Sequence, residues 1–235
     1  MATHDAPGDV PCLLHDVVNG PLRPGGLELT EALLDRAAFV PGSLVVDVGC
    51  GQGAGVVAMA RRGLCAVGVD RAEDVISRAR AAHRDTVFVL GEAGRLPFAS
   101  RSVDGLLAEC SLSSISDRRR ALLEWHRVLR PGGRLAISDI YRRLEGPEDC
   151  AAVRSSVAGW RSVADDLAAA GFRVEWFEDR SDVLRDLDDD LASMVEAANL
   201  VHGGLCGLAA HGAAFAHPGL FLALADRPDG APAAL

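Results

Sequence analysis

The sequence predicts an α/β fold, a mostly parallel sheet with helices on both faces. Three observations lead there. Short β-branched runs alternate with amphipathic stretches from residue 27 onward. The first of these runs ends in a glycine cluster, Gly49-Cys-Gly-Gln-Gly53, which opens directly into a helical pattern. The second ends in an acid, Asp70, roughly 20 residues further on.

Leu27 to Phe39 places Leu29, Leu33 and Leu34 on one helical face, and Pro41-Gly42 stops that helix. Leu44 to Val48 reads as a buried strand, and Ala54 to Arg62 as the helix after the glycines. Cys65 to Val69 is a second strand, Glu73 to Ala82 a helix, and Thr86 to Leu90 a third strand. Val103 to Ala108 is a fourth, after the turn Ser100-Arg-Ser102. Asp117 to Leu129 reads as a helix stopped by Pro131-Gly-Gly133, and Arg134 to Ile140 as a fifth strand. Beyond Tyr141 come a helix over Ala158 to Ala170, a strand over Phe172 to Phe177 and an acidic helical stretch from Ser181 to Val201. Leu220 to Ala225 is a last strand, and residues 226–235 are expected to be a loose tail. Residues 1–26 read as an arm or lid. Residues 27–225 read as one domain, with a cofactor half to about 141 and a substrate and edge half from about 142.

The chain has 235 residues and a net charge of −9, and all 24 basic residues are Arg. The absence of Lys excludes Schiff-base and P-loop lysine chemistry. No basic face is evident, so no nucleic-acid partner is expected. Six cysteines stand singly at 12, 50, 65, 110, 150 and 206, with no C-x-x-C pair. Residues 1–10 lack an apolar signal segment, and no apolar run approaches the ~20 residues of a membrane span. A cytoplasmic protein acting on a small molecule, as monomer or homodimer, is expected. No metal site is expected, because His202, His211 and His217 fit no defined spacing.

Glycines between a strand and a helix let a ligand approach the backbone without meeting a Cβ. The same turn aims helix N-terminal amides at that ligand. An acid at Asp70 can accept both hydroxyls of a ribose. Together they imply a nucleoside-containing cofactor. Gly49-x-Gly51-x-x-Ala54 loosely satisfies a dinucleotide fingerprint, which leaves a nicotinamide-dependent oxidoreductase as a rival. Asp47, two residues before the first glycine, would repel pyrophosphate and suit an amino group or a sulfonium.

Five elements in register carry a family resemblance: Val46-Asp-Val-Gly-Cys-Gly-Gln-Gly53, Gly68-Val-Asp70, Gly91-Glu-Ala-Gly-Arg-Leu-Pro-Phe98, Ser102-Val-Asp104 and Leu123 to Arg134. The chain resembles the class I S-adenosylmethionine-dependent methyltransferases over about residues 27 to 178. The resemblance implies a Rossmann-like, seven-stranded sheet and S-adenosylmethionine as cofactor. It implies that Asp47, Gly49, Cys50, Gly51, Gln52 and Gly53 line the methionine and ribose side. It gives Asp70 the ribose diol, with Arg71 beside it. It brings Glu92 to the adenine amino group, the Ala93 amide to the ring and Glu109 to the methionyl end. The family usually has Asp where Glu92 stands.

The acceptor must be sought elsewhere. A narrower resemblance links the chain to arsenite methyltransferases, through Ala108-Glu-Cys-Ser-Leu-Ser-Ser114 and Pro147-Glu-Asp-Cys-Ala151. It implies that Cys110 and Cys150 hold trivalent arsenic, a soft ion that prefers sulfur. Three departures stand against it. Glu109 replaces an Asn, no glycine-rich context surrounds Cys150, and no cysteine precedes the glycine loop closely, although Cys12 could fold back. Otherwise both thiols are small buried hydrophobes. For a protic acceptor the candidate bases are His15, Asp16, Tyr141, His202 and His211, and Arg23 could pair with a carboxylate. His126 is expected to pack structurally. The rival readings are an O-, N- or C-methyltransferase of a small metabolite and a cofactor-binding protein without chemistry.

Overall fold

The computed structural model describes residues 25–143, 158–184 and 218–229. Helix α1 spans Gly26–Ala37 and buries Leu29, Leu33 and Leu34, the face its apolar spacing predicts. Strand β1 spans Leu44–Val48, α2 Ala54–Arg61, β2 Cys65–Asp70, α3 Glu73–Ala82 and β3 Val87–Leu90. Strand β4 spans Val103–Glu109 and leads through a 3-10 turn, Leu112–Ser114, into α4, Arg118–Val128. Strand β5 spans Leu129–Arg142, α5 Trp160–Ala169, β6 Arg173–Asp179 and β7 Pro218–Asp226.

The seven strands form one sheet in the order β3-β2-β1-β4-β5-β7-β6. All neighbours are parallel except β7, which runs antiparallel to both β5 and β6. Helices cover both faces, as the residues of β7 show. Phe221, Ala223 and Ala225 join the core under α4 and α5 with Trp125 and Leu167, while Leu220, Leu222 and Leu224 join the core under α1 and α2 with Leu33 and Met59. Alternate residues point to opposite faces, so a strand buried on both sides reads as continuous apolar sequence.

The order reverses at β1, with β2 on one side and β4 on the other. The crevice beyond the carboxyl ends of strands at such a switch point is where open α/β sheets bind ligands.

Several boundaries differ from the sequence reading. Strand β5 begins at Leu129, and Pro131-Gly-Gly133 lies within it. Val103 pairs with Leu129 and Gly105 with Arg134, so the proline and glycines form an irregular bulge opposite Asp104. Asp104 accepts from the Leu44 N–H and pairs with Arg130, which pins that bulge to β1. The expected loose tail is anchored at its start. Asp226 ends β7 and pairs with Arg134 at 2.8 Å, and Arg227 is buried. Asp70 and Glu109 are the last residues of their strands.

Cys12, His15, Asp16, Arg23, Cys150, His202, Cys206, His211 and His217 lie outside the described residues, as does most of the 181–201 stretch. Among the described residues, no helix is long and apolar enough to cross a membrane.

Candidate functional site

The glycine loop is tied to the end of β2 by its own backbone. The N–H groups of Gly49 and Cys50 both donate to the Val69 carbonyl, at 2.8 and 3.1 Å. The Gly51 N–H donates to Asp70 Oδ2 at 3.0 Å, and the Ala72 N–H to Asp70 Oδ1 at 3.0 Å. Asp70 therefore holds the loop and the entry to α3. Each carboxylate oxygen has a second lone pair, which leaves acceptor capacity for a ligand.

A cavity of about 490 Å³ lies at the carboxyl ends of β1, β2 and β4, within the roughly 300–1,000 Å³ of small-molecule sites. Gly49, Asp70, Arg71, Glu92, Ala93 and Cys110 are among its walls. The loop carrying Glu92 and Ala93 is clamped by α4. The buried Trp125 indole donates to the Ala93 carbonyl at 3.1 Å, and Glu124 accepts from the Leu96 N–H at 2.7 Å. Arg127 bridges Glu124 to the Phe98 carbonyl, and its hydrogen bond holds the Glu124 carboxyl below the usual range. The matched stretches 91–98 and 123–134 are thus one unit, a loop and its clamp.

The opposite wall leaves β4 abruptly. Cys110 has φ 49° and donates its N–H to the Ser138 carbonyl at 2.8 Å. Asp139 then accepts from the Ser113 N–H at 2.9 Å and fixes the 3-10 turn. Burial pushes the Asp139 carboxyl up, against the pull of these bonds. Ser111 lines the cavity, and its buried Oγ has no hydrogen-bond partner among the described residues. Neither residue stood out in the sequence. Ser111 looks like any of its neighbouring serines.

A second cluster forms where α2 begins. A Cβ on Gly55 would lie 2.5 Å from Asp47 Oδ2 and 3.3 Å from Glu109 Oε2, so both carboxylates converge on the space that this glycine leaves. Thr30 of α1, fully buried, donates to Glu109 at 2.9 Å. The positive end of α2 favours carboxylates there.

The remaining candidates part company. The Cys50 thiol packs among Gly68, Phe88 and Val56, and burial, with Asp47 and Asp70 nearby, pushes it far up. Only its backbone belongs to the loop surface. Gln52 is exposed and lines a separate depression with Leu27 and His83. Tyr141, a candidate base, is not among the walls of the switch-point cavity. It is packed edge-on against Phe177 and Phe221, and its hydroxyl bonds Asp179. Burial and the Asp179 charge push that phenol up. His126 sits edge-on to Phe172, the structural packing expected of it.

These residues fit the expected cofactor. There is an acid beside the glycine loop, an unpartnered hydroxyl in the cavity wall, and two acids around a space that a Cβ would fill. Among the described residues, a Cβ on Gly51 would meet nothing within 4 Å, so they leave open space for a ligand at that turn.

Residues 46–137 match the family model described as a methyltransferase domain. That segment runs from β1 into β5 and contains the glycine loop, Asp47, Asp70, Glu92 and Glu109, while Thr30 lies before it. Over that segment the chain is similar to the class I S-adenosylmethionine-dependent methyltransferases. The cofactor of this methyltransferase domain is S-adenosylmethionine. An arsenite methyltransferase from Halobacterium salinarum is 36% identical over 151 residues, covering 58% of this chain and 39% of the relative. The O-methyltransferase resE of Aspergillus sclerotiorum is 33% identical over 171 residues, covering 67% and 65%. The chain thus spans less than two thirds of either relative. Among solved structures, the [4+2]-cyclase SpnF superposes with a TM-score of 0.75 at 24% identity, over 86% of this chain and 80% of that one.

Proposed function

We propose that the protein transfers the methyl group of S-adenosylmethionine to a small molecule. One observation carries this reading. A single cavity at the switch point brings Gly49, Asp70, Glu92, Ala93 and Cys110 together. Asp70 would take the ribose hydroxyls, with Arg71 at the rim. Glu92 and the Ala93 amide would take the adenine edge. Asp47 and Glu109, with the loop from Gly49 to Gly53, would hold the methionyl end. When bound, the cofactor supplies an activated methyl group on a sulfonium for in-line displacement. The chain's own task is to align the acceptor and exclude water.

For the acceptor we propose a thiophilic species such as trivalent arsenic, held by Cys110 with Cys150. The half-buried Cys110 in the cavity wall supports it, as does the relative named an arsenite methyltransferase. The described residues contain no cluster of three His, Cys, Asp or Glu able to hold a metal ion, so further ligands would have to come from the rest of the chain. The competing reading is a protic acceptor, as the name of the Aspergillus relative suggests for that protein. Of its candidate bases, Tyr141 is not among the cavity's walls, and His15, Asp16, His202 and His211 lie outside the described residues. The fold is shared with a protein named as a cyclase, so methyl transfer must be tested as chemistry.

The test measures S-adenosylhomocysteine release, with and without arsenite, in excess glutathione. The expected result is arsenite-dependent release that falls at least a hundredfold in Cys110→Ser. Release that ignores arsenite, with cofactor binding intact, would return Cys110 to a packing role and turn the search to phenols, amines and carboxylates.

A further inference from the structure

Helix α1 contributes a fully buried hydroxyl where its face is otherwise apolar. Leu29, Leu33, Leu34 and Ala37 pack into the sheet, and Thr30 lies among them at 0% exposure. Its hydroxyl has one proton to give. Glu109 Oε1 lies 2.9 Å away and Oε2 3.2 Å, while the carbonyl of Gly26, one turn back in the helix, is 3.3 Å away. The shorter, charge-assisted bond to the carboxylate is the stronger one.

Glu109 is the last residue of β4, just before the backbone turns at Cys110. Its side chain reaches the space above Gly55 that Asp47 reaches from β1. Two carboxylates directed at one space favour a cation there. A long side chain such as Glu109 has several rotamers, and many of them leave the space beside Asp47. A hydroxyl fixed in a packed helix opposes that.

We infer that Thr30 is a positioning residue. It holds Glu109 beside Asp47 so that the pair can receive the ammonium end of the cofactor. This rests on the cofactor reading proposed above. Thr30 is fully buried and is not among the cavity's walls, so it acts through Glu109. Its place on α1 ties the first described helix to the site.

The test is calorimetric binding of two ligands to the full chain, S-adenosylhomocysteine and 5′-methylthioadenosine. Both carry the nucleoside, and only the first carries the amino-acid end. Thr30→Val keeps the branched shape and removes the hydroxyl. It should weaken S-adenosylhomocysteine about tenfold and leave 5′-methylthioadenosine within twofold of the wild type. Thr30→Ser, which restores the hydroxyl, should recover most of the loss. In a Glu109→Gln background, Thr30→Val should have much less effect. Equal weakening of both ligands, or none, would overturn the inference, since a purely structural threonine cannot tell the ligands apart. Failure of the wild type to bind either ligand would instead sink the cofactor reading beneath it.

Discussion

Gly51 and Gly53 both have positive φ, yet a side chain at each would meet different surroundings. At Gly53 an added Cβ would overlap the Phe88 ring, while at Gly51 it would meet nothing among the described residues. Gly51→Ala should therefore cost only the left-handed backbone term, about 1–2 kcal/mol of stability. It should nonetheless weaken S-adenosylhomocysteine more than tenfold, because its methyl would occupy the ligand's approach. Gly53→Ala bears the same term plus about 1–3 kcal/mol for displacing the ring. Thermal melts and calorimetry on both variants check this, and equal melting temperatures would contradict it. Asp70 was legible in the sequence because its role follows from position, one acid at the end of the second strand. Thr30 was not, because a threonine on an apolar helix face gains meaning only from what lies across the sheet. Ser111 was hidden for a related reason. Its burial comes from the left-handed turn at Cys110, which no local pattern announces.

The elements were more legible than the residues that join them. Strands β1 and β2 announce themselves as β-branched runs that stop at glycine or acid. The start of β5 was missed because Pro-Gly-Gly ordinarily ends an element, whereas here a bulge absorbs it. The end of α4 depends on a distant residue in the same way. Arg227 donates to the carbonyls of His126 at 2.6 Å and Leu129 at 2.5 Å, capping the helix exit from the other end of the sequence. The His126 ring lies beside it, and burial first, then Arg227 and Arg101, lower its pKa. The folded state thus binds this proton less readily than the unfolded chain, whose histidines titrate near about 6.5. The stability involved is fully present above that pH. It is lost as pH falls from there toward the lowered folded value. Urea melts between pH 5 and 8 should show that slope, and His126→Gln should flatten it.

At the scale of the whole molecule, the cofactor and the fold are coupled through one crevice. A ligand that binds only the folded chain adds about 2.7 kcal/mol of stability at one hundred times its Kd. S-adenosylhomocysteine should raise the melting temperature in proportion to the logarithm of its concentration, and NADH should leave it unchanged. Stabilisation by NADH alone would favour the oxidoreductase reading. The global architecture was readable because both faces of the sheet are covered, which makes its strands continuous apolar runs separated by helical patterns. The acceptor was not readable, because methyl transfer asks little of the protein beyond alignment, and alignment leaves no fixed motif.

The place of β7 has a consequence for synthesis. It is the last of the described strands to leave the ribosome, yet it lies between β5 and β6. Until Pro218–Asp226 has emerged, β5 offers an open edge from Arg134 to Arg142, and β6 has no neighbour to join. The nascent chain can assemble its cofactor crevice early, but it carries an unpaired strand edge until these residues arrive. Such edges template association with other chains. Premature termination before Pro218 would therefore leave a product whose cofactor half can form and whose open edge drives it to aggregate, so this short segment protects the chain during translation.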